Sequence, residues 1–287
     1  MLRCTPCLDD DSLATLRRQE LDIPRDQAAQ LGRSAVAAAA SGVYLSNTGR
    51  QVVWANAVRA AVAAKRSLPP DVPLPCDQPK TFPETVVQVN NETTLGAARR
   101  CVGAGMRPLA LNFANGVHPG GGFLSGARAQ EEVLCRSSAL HSTLVDDPMY
   151  THHRQRPLSD STDWVILSPD VPVFRTDAGV NLDAPWLLGV ITAAAPYAPR
   201  IGVAKSAELM HHRIRRVLEV ARAFAYEVLI LGAWGCGAFH NDPKRVAAEF
   251  RSALEQEYDG AFRQVVFAIT DWSIDRRFLG PFRDAFV

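Results

Sequence analysis

The sequence contains no apolar run that approaches the ~20 residues needed to span a membrane. Its first residues, MLRCTPCLDDDSL, contain no apolar core of signal-peptide length. Neither charge is in excess, since 31 Lys and Arg residues oppose 30 Asp and Glu residues. A polyanionic ligand must therefore be bound by local groups rather than by the field of the whole molecule. These features predict a cytoplasmic protein with no membrane partner and no sequence-specific nucleic-acid partner.

A spaced set of metal ligands is also missing. The six cysteines, predicted to be reduced thiols, are Cys4, Cys7, Cys76, Cys101, Cys135 and Cys236. Cys4 and Cys7 form a single C-x-x-C without a second pair, which favours a frayed terminus over a zinc or redox site. The pairs His152-His153 and His211-His212 have no acidic or thiol partner at ligand spacing, so we expect them at the surface. We expect neither a metal nor a cofactor.

The first part of the chain is predicted to be a helical extension, residues 1–75, packed on the core. Apolar residues at mixed helical spacing predict a helix over residues 11–40 that ends near Gly42, and an Ala-rich run predicts a second over Ala55 to Arg66. Between them, GVYLSNTGRQVVW predicts a short hairpin about Asn47-Thr48-Gly49. The proline-rich SLPPDVPLP separates this extension from a main domain, residues 76–287.

The main domain alternates strands with helices. Six short apolar runs, typical of strands buried on both faces, are TVVQVN, RPLALNF, DWVILS, LLGVITA, EVLILG and QVVFAI. Amphipathic helices lie between several of them, which predicts an α/β domain of three layers with a mixed, largely parallel sheet. Val173 and Phe174 follow the third run and are predicted to lie in a loop. Ligands of such sheets bind at the carboxyl ends of the strands.

Two strand ends carry glycine loops, LNFANGVHPGGGFLSGARAQEE and LILGAWGCGAFHNDP. Glycine permits positive φ and brings backbone N–H groups close to a ligand, and a loop that leads into a helix adds the positive end of the helix dipole. Both loops therefore suit phosphate. Neither has the Lys-Ser/Thr pair of a P-loop or the glycine spacing of a dinucleotide-binding loop, so kinase, ATPase and dehydrogenase chemistry is disfavoured.

Glu131 and Glu132 fall in the first turn of the helix after the triple glycine. One interpretation is compensation of the helix dipole, which favours carboxylates at that position. The other is catalysis, because the same short connection carries a phosphate-type loop and places a carboxyl beside a bound diphosphate. The residues alone leave both interpretations open.

At these residues the chain resembles the bacterial-type poly(ADP-ribose) glycohydrolases, which are catalytic members of the macrodomain fold. The family signature is a triple glycine, six to eight residues, and then Gln-Glu-Glu. Here it is Gly120-Gly121-Gly122, seven residues, and Gln130-Glu131-Glu132. The segments VILSPDVPVFR, VITAAAP and LGAWGCGAFHNDP follow in the family's order. The resemblance covers roughly residues 80 to 275.

The resemblance implies release of ADP-ribose from poly(ADP-ribose) by cleavage of its ribose–ribose bonds from chain ends, with poly(ADP-ribosyl)ated proteins as partners. It implies catalysis by Glu132 as acid/base with Glu131 orienting the distal ribose, the sugar whose bond is cleaved. It further implies that Gln130 fixes the loop and that Asn115 and Phe239 contact the distal ribose. The other residues that the resemblance places at the substrate are Gly120, Gly121, Gly122 and Phe123 of the first loop, Gly235, Cys236 and Gly237 of the second, and Thr270 and Asp271 as candidates for the adenine pocket.

Helix geometry constrains the mechanism. Most glycosidases place two carboxylates about 5 to 9 Å apart on opposite faces of the sugar. Adjacent residues at a helix start point about 100° apart and are poorly placed for that arrangement. We therefore expect Glu132 to perform both proton transfers. The alternatives are a hydrolase of mono-ADP-ribosylated acceptors and an ADP-ribose-binding module without catalysis, and the presence of Gln-Glu-Glu disfavours the second.

Overall fold

The computed structural model describes residues 1–75 and 82–287, so Cys76 and the start of the predicted main domain lie outside the described residues. The strands are β1 (Leu2–Cys4), β2 (Val43–Leu45), β3 (Gln51–Val53), β4 (Arg66–Leu68), β5 (Thr85–Asn90), β6 (Pro108–Ala114), β7 (Val165–Arg175), β8 (Asn181–Ala194), β9 (Val228–Leu231) and β10 (Gln264–Ala268). The helices are α1 (Asp11–Leu21), α2 (Arg25–Ser41), α3 (Ala55–Ala64), α4 (Thr94–Gly103), α5 (Gln130–Ser137), α6 (Leu140–Leu144), α7 (Pro148–Arg154), α8 (Ala198–Ile201), α9 (Val203–Ala223), α10 (Pro243–Gln256) and α11 (Leu279–Ala285), with one 3-10 turn at Phe123–Ser125.

The described residues form one eight-stranded sheet in the order β1-β5-β10-β9-β6-β8-β7-β4. The first six strands in this order, from β1 to β8, run parallel to their neighbours. The last two are antiparallel: β7 pairs with β8, and β4 pairs with β7. The strands are buried on both faces: Leu109 and Leu111 of β6 face a cluster with α9 to α11, and Ala110 faces one with α4 to α7. The predicted three-layer α/β architecture with a mixed, largely parallel sheet is confirmed.

The first 75 residues contribute strands as well as helices. β1 pairs with β5 at one edge of the sheet, and β4 pairs with β7 at the other. The prediction of a frayed terminus around Cys4 is therefore wrong, because the backbone of residues 2–4 continues the ladder of β5. The hairpin of β2 and β3 is confirmed. The helix predicted over residues 11–40 is two helices, α1 and α2, separated before Arg25 at Pro24.

Val173 and Phe174 belong to β7, so their predicted placement in a loop is wrong. The prolines of SPDVPVFR favour the end of a strand. A shift of register between Ser168 and Val171 accommodates them, and the strand continues to Arg175. The ring of Phe174 is fully buried, with its centroid 4.7 Å from that of Trp54. Of the helices in the described residues, none is long and apolar enough to cross a membrane.

Candidate active site

The two glycine loops meet because the strands that precede them are neighbours. β6 pairs in parallel with β9, and β9 with β10, so the segments after all three strands leave the same edge of the sheet. A cavity of about 280 Å³ opens there. It lies between Gln130 at the start of α5 and Gly237 in the second glycine loop. This position, at the carboxyl ends of parallel strands, is the one that the sequence predicts.

The triple glycine lies directly against the two glutamates of α5. Gly121 has φ +58°, a conformation that favours glycine. A Cβ atom at Gly121 would overlap Oε1 of Glu132 and would lie 3.0 Å from Oε2 of Glu131. The loop approaches the carboxyl groups so closely that a side chain at residue 121 would have to displace the carboxyl group of Glu132. This clearance is a second reason for glycine, besides the binding of phosphate.

Only one of the two carboxyl oxygens of Glu132 is hydrogen-bonded to the loop. Its Oε1 accepts a hydrogen bond from the backbone nitrogen of Gly122 at 3.0 Å. Its Oε2 takes part in no hydrogen bond to residues 1–75 or 82–287. The side chain lies at the first turn of α5 and is buried, with 8% of its surface exposed. The arrangement fixes the direction of the carboxyl group and leaves one oxygen for proton transfer.

Glu131 uses both of its oxygens for structure. Oε2 accepts from the backbone nitrogen of Asn115 at 2.7 Å, and Oε1 lies 3.3 Å from Nδ2 of Asn112. Burial raises the pKa of Glu131 to about 8, and the neighbouring Glu132 acts in the same direction, whereas the hydrogen bond from Asn115 opposes the shift. At neutral pH the group is largely protonated. Glu131 therefore joins the helix to the end of β6.

Gln130 ties the helix start to the strand in a second place. Its Oε1 accepts from the backbone nitrogen of Phe113 at 2.9 Å, and its Nε2 donates to the carbonyl of Leu111 at 2.7 Å. Nε2 also donates to Oγ1 of Thr94 at 3.2 Å. These contacts fix the start of α5 against β6 and α4.

Asn115 has a restrained amide group. Its Oδ1 accepts from the backbone nitrogens of Val117 and His118, each at 3.0 Å, which closes an Asx turn. Because Oδ1 is held, the orientation of Nδ2 is fixed as well. Nδ2 donates to no group in the described part of the chain, so it is available to a hydroxyl of a bound sugar.

The two loops differ in the backbone donors that they leave for an anion. In the first loop, Gly121 donates to the carbonyl of His118, Gly122 to Glu132, and Phe123 to the carbonyl of Gly120. In the second loop the N–H groups of Gly237, Ala238 and Phe239 have no partner among residues 1–75 and 82–287. The sequence predicts that both loops hold phosphate by N–H groups, and the second loop has the free donors.

Asn241 holds the second loop in shape. Its Nδ2 donates to the carbonyls of Pro196 at 2.9 Å and Gly235 at 3.1 Å, and its Oδ1 accepts from Oγ of Ser206. Gly235 has φ +74°, and a Cβ there would lie 2.6 Å from that of Ala195. This anchor was missed in the sequence, although an asparagine that follows a glycine turn is a recognisable signal.

Three predicted contact residues have side chains with unequal access to the cleft. The ring of Phe239 is half-buried and packs edge-on to Tyr197, with ring centroids 5.4 Å apart. Phe123 is 1% exposed and its ring belongs to the core between the sheet and α5. Cys236 is buried, and burial raises the pKa of its thiol. Only Phe239 presents a side chain to the loop surface.

Of the two adenine-pocket candidates, the structure places one at the cavity. Thr270 lines it, together with the half-exposed Trp272, which sequence reasoning missed. Asp271 is 3% exposed, and its carboxylate accepts hydrogen bonds from Ser273 and from the nitrogens of Phe278 and Leu279. Burial by itself raises a carboxyl pKa, but these hydrogen bonds outweigh it and hold the pKa of Asp271 below its ordinary value. Asp271 orders the segment after β10.

Both histidine pairs are predicted to lie at the surface, and this prediction is wrong for His153. His153 is 3% exposed, because the second half of α7 packs onto the loop after Asn115, whereas His152 is exposed as expected. The five described cysteines form no disulfide. Within residues 1–75 and 82–287, no three His, Cys, Asp or Glu side chains are grouped to hold a metal ion.

Comparison with known proteins identifies the family of the chain. Residues 32–176 match the model of the microbial-type PARG catalytic domain. The crystal structure of poly(ADP-ribose) glycohydrolase from Thermomonospora curvata is 37% identical, with a TM-score of 0.83 over 91% of this chain and 100% of that one. Its complex with the inhibitor ADP-HPD gives the same values.

The enzyme from Deinococcus radiodurans in complex with ADP-ribose is 39% identical, with a TM-score of 0.72 over 79% of this chain and 96% of that one. A search of curated protein sequences gives no match. The match of the family model over half of the chain and the identity to solved structures agree with each other. The chain belongs to the microbial-type poly(ADP-ribose) glycohydrolases.

Proposed function

We propose that this protein hydrolyses the ribose–ribose O-glycosidic bond of poly(ADP-ribose) and releases ADP-ribose. The observation that carries the proposal is the geometry of Glu132. Oε1 is held by the triple-glycine loop, and Oε2 takes part in no hydrogen bond within the described residues, on the helix turn whose Gln130 lines the cavity. Membership in the microbial-type poly(ADP-ribose) glycohydrolases supports the same activity.

The reaction uses one carboxyl group twice. Glu132 in its protonated form gives its proton to the 2′-oxygen of the departing unit as the glycosidic bond breaks, and an oxocarbenium ion forms on the distal ribose. The carboxylate then takes a proton from a water molecule that attacks the anomeric carbon, which restores the acid and completes the hydrolysis. The substrate diphosphate, held nearby by the loops, stabilises the cation.

Glu131 does not serve as the second carboxylate of this reaction. Both of its oxygens are engaged, with the backbone of Asn115 and the amide of Asn112, and the group is 3% exposed. It acts by holding the end of β6, which carries the sugar-binding amide of Asn115. Its effect on the distal ribose is therefore exerted through Asn115.

The substrate lies across the carboxyl edge of the sheet. The free N–H groups of residues 237–239 bind the diphosphate, and Nδ2 of Asn115 with the ring of Phe239 contacts the distal ribose. The adenosine occupies the cavity beside Thr270 and Trp272, where an exposed indole offers a stacking surface. Gly120 to Phe123 act mainly by shaping the loop around Glu132.

We further propose that cleavage occurs at chain ends, on polymer attached to proteins, in the cytoplasm. This proposal is supported by Leu21 of α1 and Phe278 beside α11, which both line the cavity that we assign to the adenosine. The five unpaired cysteines suit a reducing compartment. We also propose residues 76–287 as the catalytic domain and residues 1–75 as an extension that packs on it through α2 and α5 and adds β1 and β4 to its sheet.

The test compares two substrates at equal ADP-ribose content, poly(ADP-ribose) and a mono-ADP-ribosylated protein, with calorimetry of free ADP-ribose alongside. We expect rapid release of ADP-ribose from polymer, little from the mono-modified acceptor, and saturable binding of ADP-ribose. Faster release from the mono-modified acceptor would assign the other hydrolase activity. Binding of ADP-ribose without release from either substrate would identify the protein as a binding module without catalysis.

A further inference from the structure

His153, near the end of α7, lies behind the turn that presents Asn115. Its Nδ1 lies 2.9 Å from the carbonyl oxygen of Gly116. Its Nε2 lies 2.7 Å from Oγ1 of Thr162 and accepts a hydrogen bond from the backbone nitrogen of Thr162 at 3.1 Å. The ring therefore spans the space between the turn after β6 and the segment before β7.

These contacts decide which ring nitrogen carries the proton. The backbone N–H of Thr162 is a donor only, so Nε2 of His153 must accept. In the neutral ring the proton is then on Nδ1, which donates to the carbonyl of Gly116. Burial lowers the pKa of His153 to about 4, and the positive charges of Arg213 and Arg156 act in the same direction. The ring is neutral at physiological pH, as this pattern requires.

The fit around Gly116 shows that the contact is close. A Cβ atom at Gly116 would overlap Oγ of Ser161 and would lie 3.4 Å from Nδ1 of His153. The next residue of α7 adds a second contact, because Nη1 of Arg154 donates to the carbonyl of Val117 at 2.8 Å. Two successive carbonyls of the turn are thus held by two successive residues of one helix.

The turn that carries Asn115 is consequently held from two sides. Glu131 binds its backbone nitrogen from the α5 side, and His153 binds the next carbonyl from the α7 side. Neither contact uses Nδ2 of Asn115, the group left for the sugar. Loss of the His153 contact would let the peptide between Gly116 and Val117 rotate, and the N–H of this peptide is one of the two that hold Oδ1 of Asn115.

We propose that His153 is a positioning residue for the glycosidic reaction, acting by hydrogen-bonding the Gly116 carbonyl so that Asn115 holds the distal ribose in line with Glu132. The inference rests on the proposed function. A small rotation of the ribose misaligns the anomeric carbon with the acid, which lowers kcat more than it weakens binding, because the diphosphate and adenosine contacts persist.

The experiment compares His153→Phe, His153→Gln and the adjacent control His152→Gln. Phe keeps a ring without either hydrogen bond, whereas the Gln amide offers one donor and one acceptor. For each protein, kcat and KM are measured on poly(ADP-ribose), together with ADP-ribose affinity and thermal unfolding. Wild-type turnover reports on the proposed function, and only the ratios to wild type report on His153.

We expect His153→Phe to lower kcat about tenfold or more, with KM and ADP-ribose affinity changed less than about threefold. His153→Gln should recover most of the loss, and His152→Gln should match wild type. Unchanged kcat in a folded His153→Phe protein would overturn the proposal. If that variant does not fold, His153→Ala decides: imidazole in the buffer should restore turnover, and failure to do so in folded protein would equally overturn it.

Discussion

Oε1 of Glu132 accepts a hydrogen bond from the backbone nitrogen of Gly122 at 3.0 Å, although ten residues separate them along the chain. The triple glycine and the first turn of α5 therefore form one unit. The loop orients the carboxyl group, and the absence of a side chain at Gly121 makes room for it. A change in either part is expected to disturb the other.

Gly121→Ala tests this relationship. The new methyl group would overlap Oε1 of Glu132, and φ of +58° strains any L side chain by about 1 to 2 kcal/mol. We expect turnover of poly(ADP-ribose) to fall at least about 100-fold, because the acid is displaced. Gly49→Ala is the matched control, since Gly49 has φ +78° and no atom within 4 Å of the added Cβ. Equal turnover in the two variants would contradict the inference that the triple glycine and the first turn of α5 act as one unit.

The raised pKa of Glu131 gives a pH dependence of stability with a defined sign. The group has a pKa of about 8 in the folded protein against an ordinary value of 4.5. Between these values the folded state binds more protons, so this contribution to the free energy of unfolding is present below pH 4.5 and is lost as the pH rises towards 8.

Glu131→Gln removes that titration. Urea unfolding at several pH values gives the free energy of unfolding of both proteins, and their difference cancels groups that titrate in both. Relative to wild type, the free energy of unfolding of the variant should rise by on the order of a few kcal/mol as the pH increases from 4.5 to 8. A difference that stays constant over this range would contradict the assignment of a raised pKa to Glu131.

Gly32→Ala tests the part played by residues 1–75. Gly32 lies on α2, and an added Cβ would be 2.6 Å from the carbonyl oxygen of Phe123. We expect a loss of stability of about 1 to 2 kcal/mol and a lower kcat, because Phe123 adjoins Gly122 and hence the support of Glu132. Gly103→Ala, also helical but with open space around it, should be neutral or stabilising. Identical behaviour of the two variants would argue against a role of α2 at the site.

Asp271→Asn distinguishes a structural role from an adenine-binding role. The carboxylate accepts from the nitrogens of Ser273, Phe278 and Leu279, and an amide NH₂ would face at least one of these donors. We expect a loss of about 2 to 3 kcal/mol in unfolding free energy, with ADP-ribose affinity of the folded protein changed less than about threefold. Weakened binding at unchanged stability would instead support contact with the ligand.

The sequence was sufficient where a local pattern carries the information. Apolar runs predicted the core strands, glycine and glutamate spacing predicted the two loops, and the strand order brought those loops together as expected. It was insufficient where partners lie far apart in the chain. Nothing near residue 153 indicates that His153 will face Gly116, and β1 joins the sheet by pairing with β5, which lies far from it along the chain.

Local rules also failed where tertiary structure overrides them. Prolines in SPDVPVFR favour a loop, yet a register shift keeps Phe174 in a buried strand. The sequence also leaves the two glutamates nearly equivalent in position. The difference between them arises from the fold, because only Glu131 reaches both Asn112 and the backbone of Asn115.

Glu132→Gln tests the central claim most directly. The glutamine oxygen can still accept from Gly122, so the loop and the fold should be retained, while no acid remains. We measure ADP-ribose release from poly(ADP-ribose) and ADP-ribose affinity for wild type and variant side by side. The account predicts that the variant releases no ADP-ribose and binds it within a few-fold of wild type. Substantial release of ADP-ribose by Glu132→Gln would contradict it.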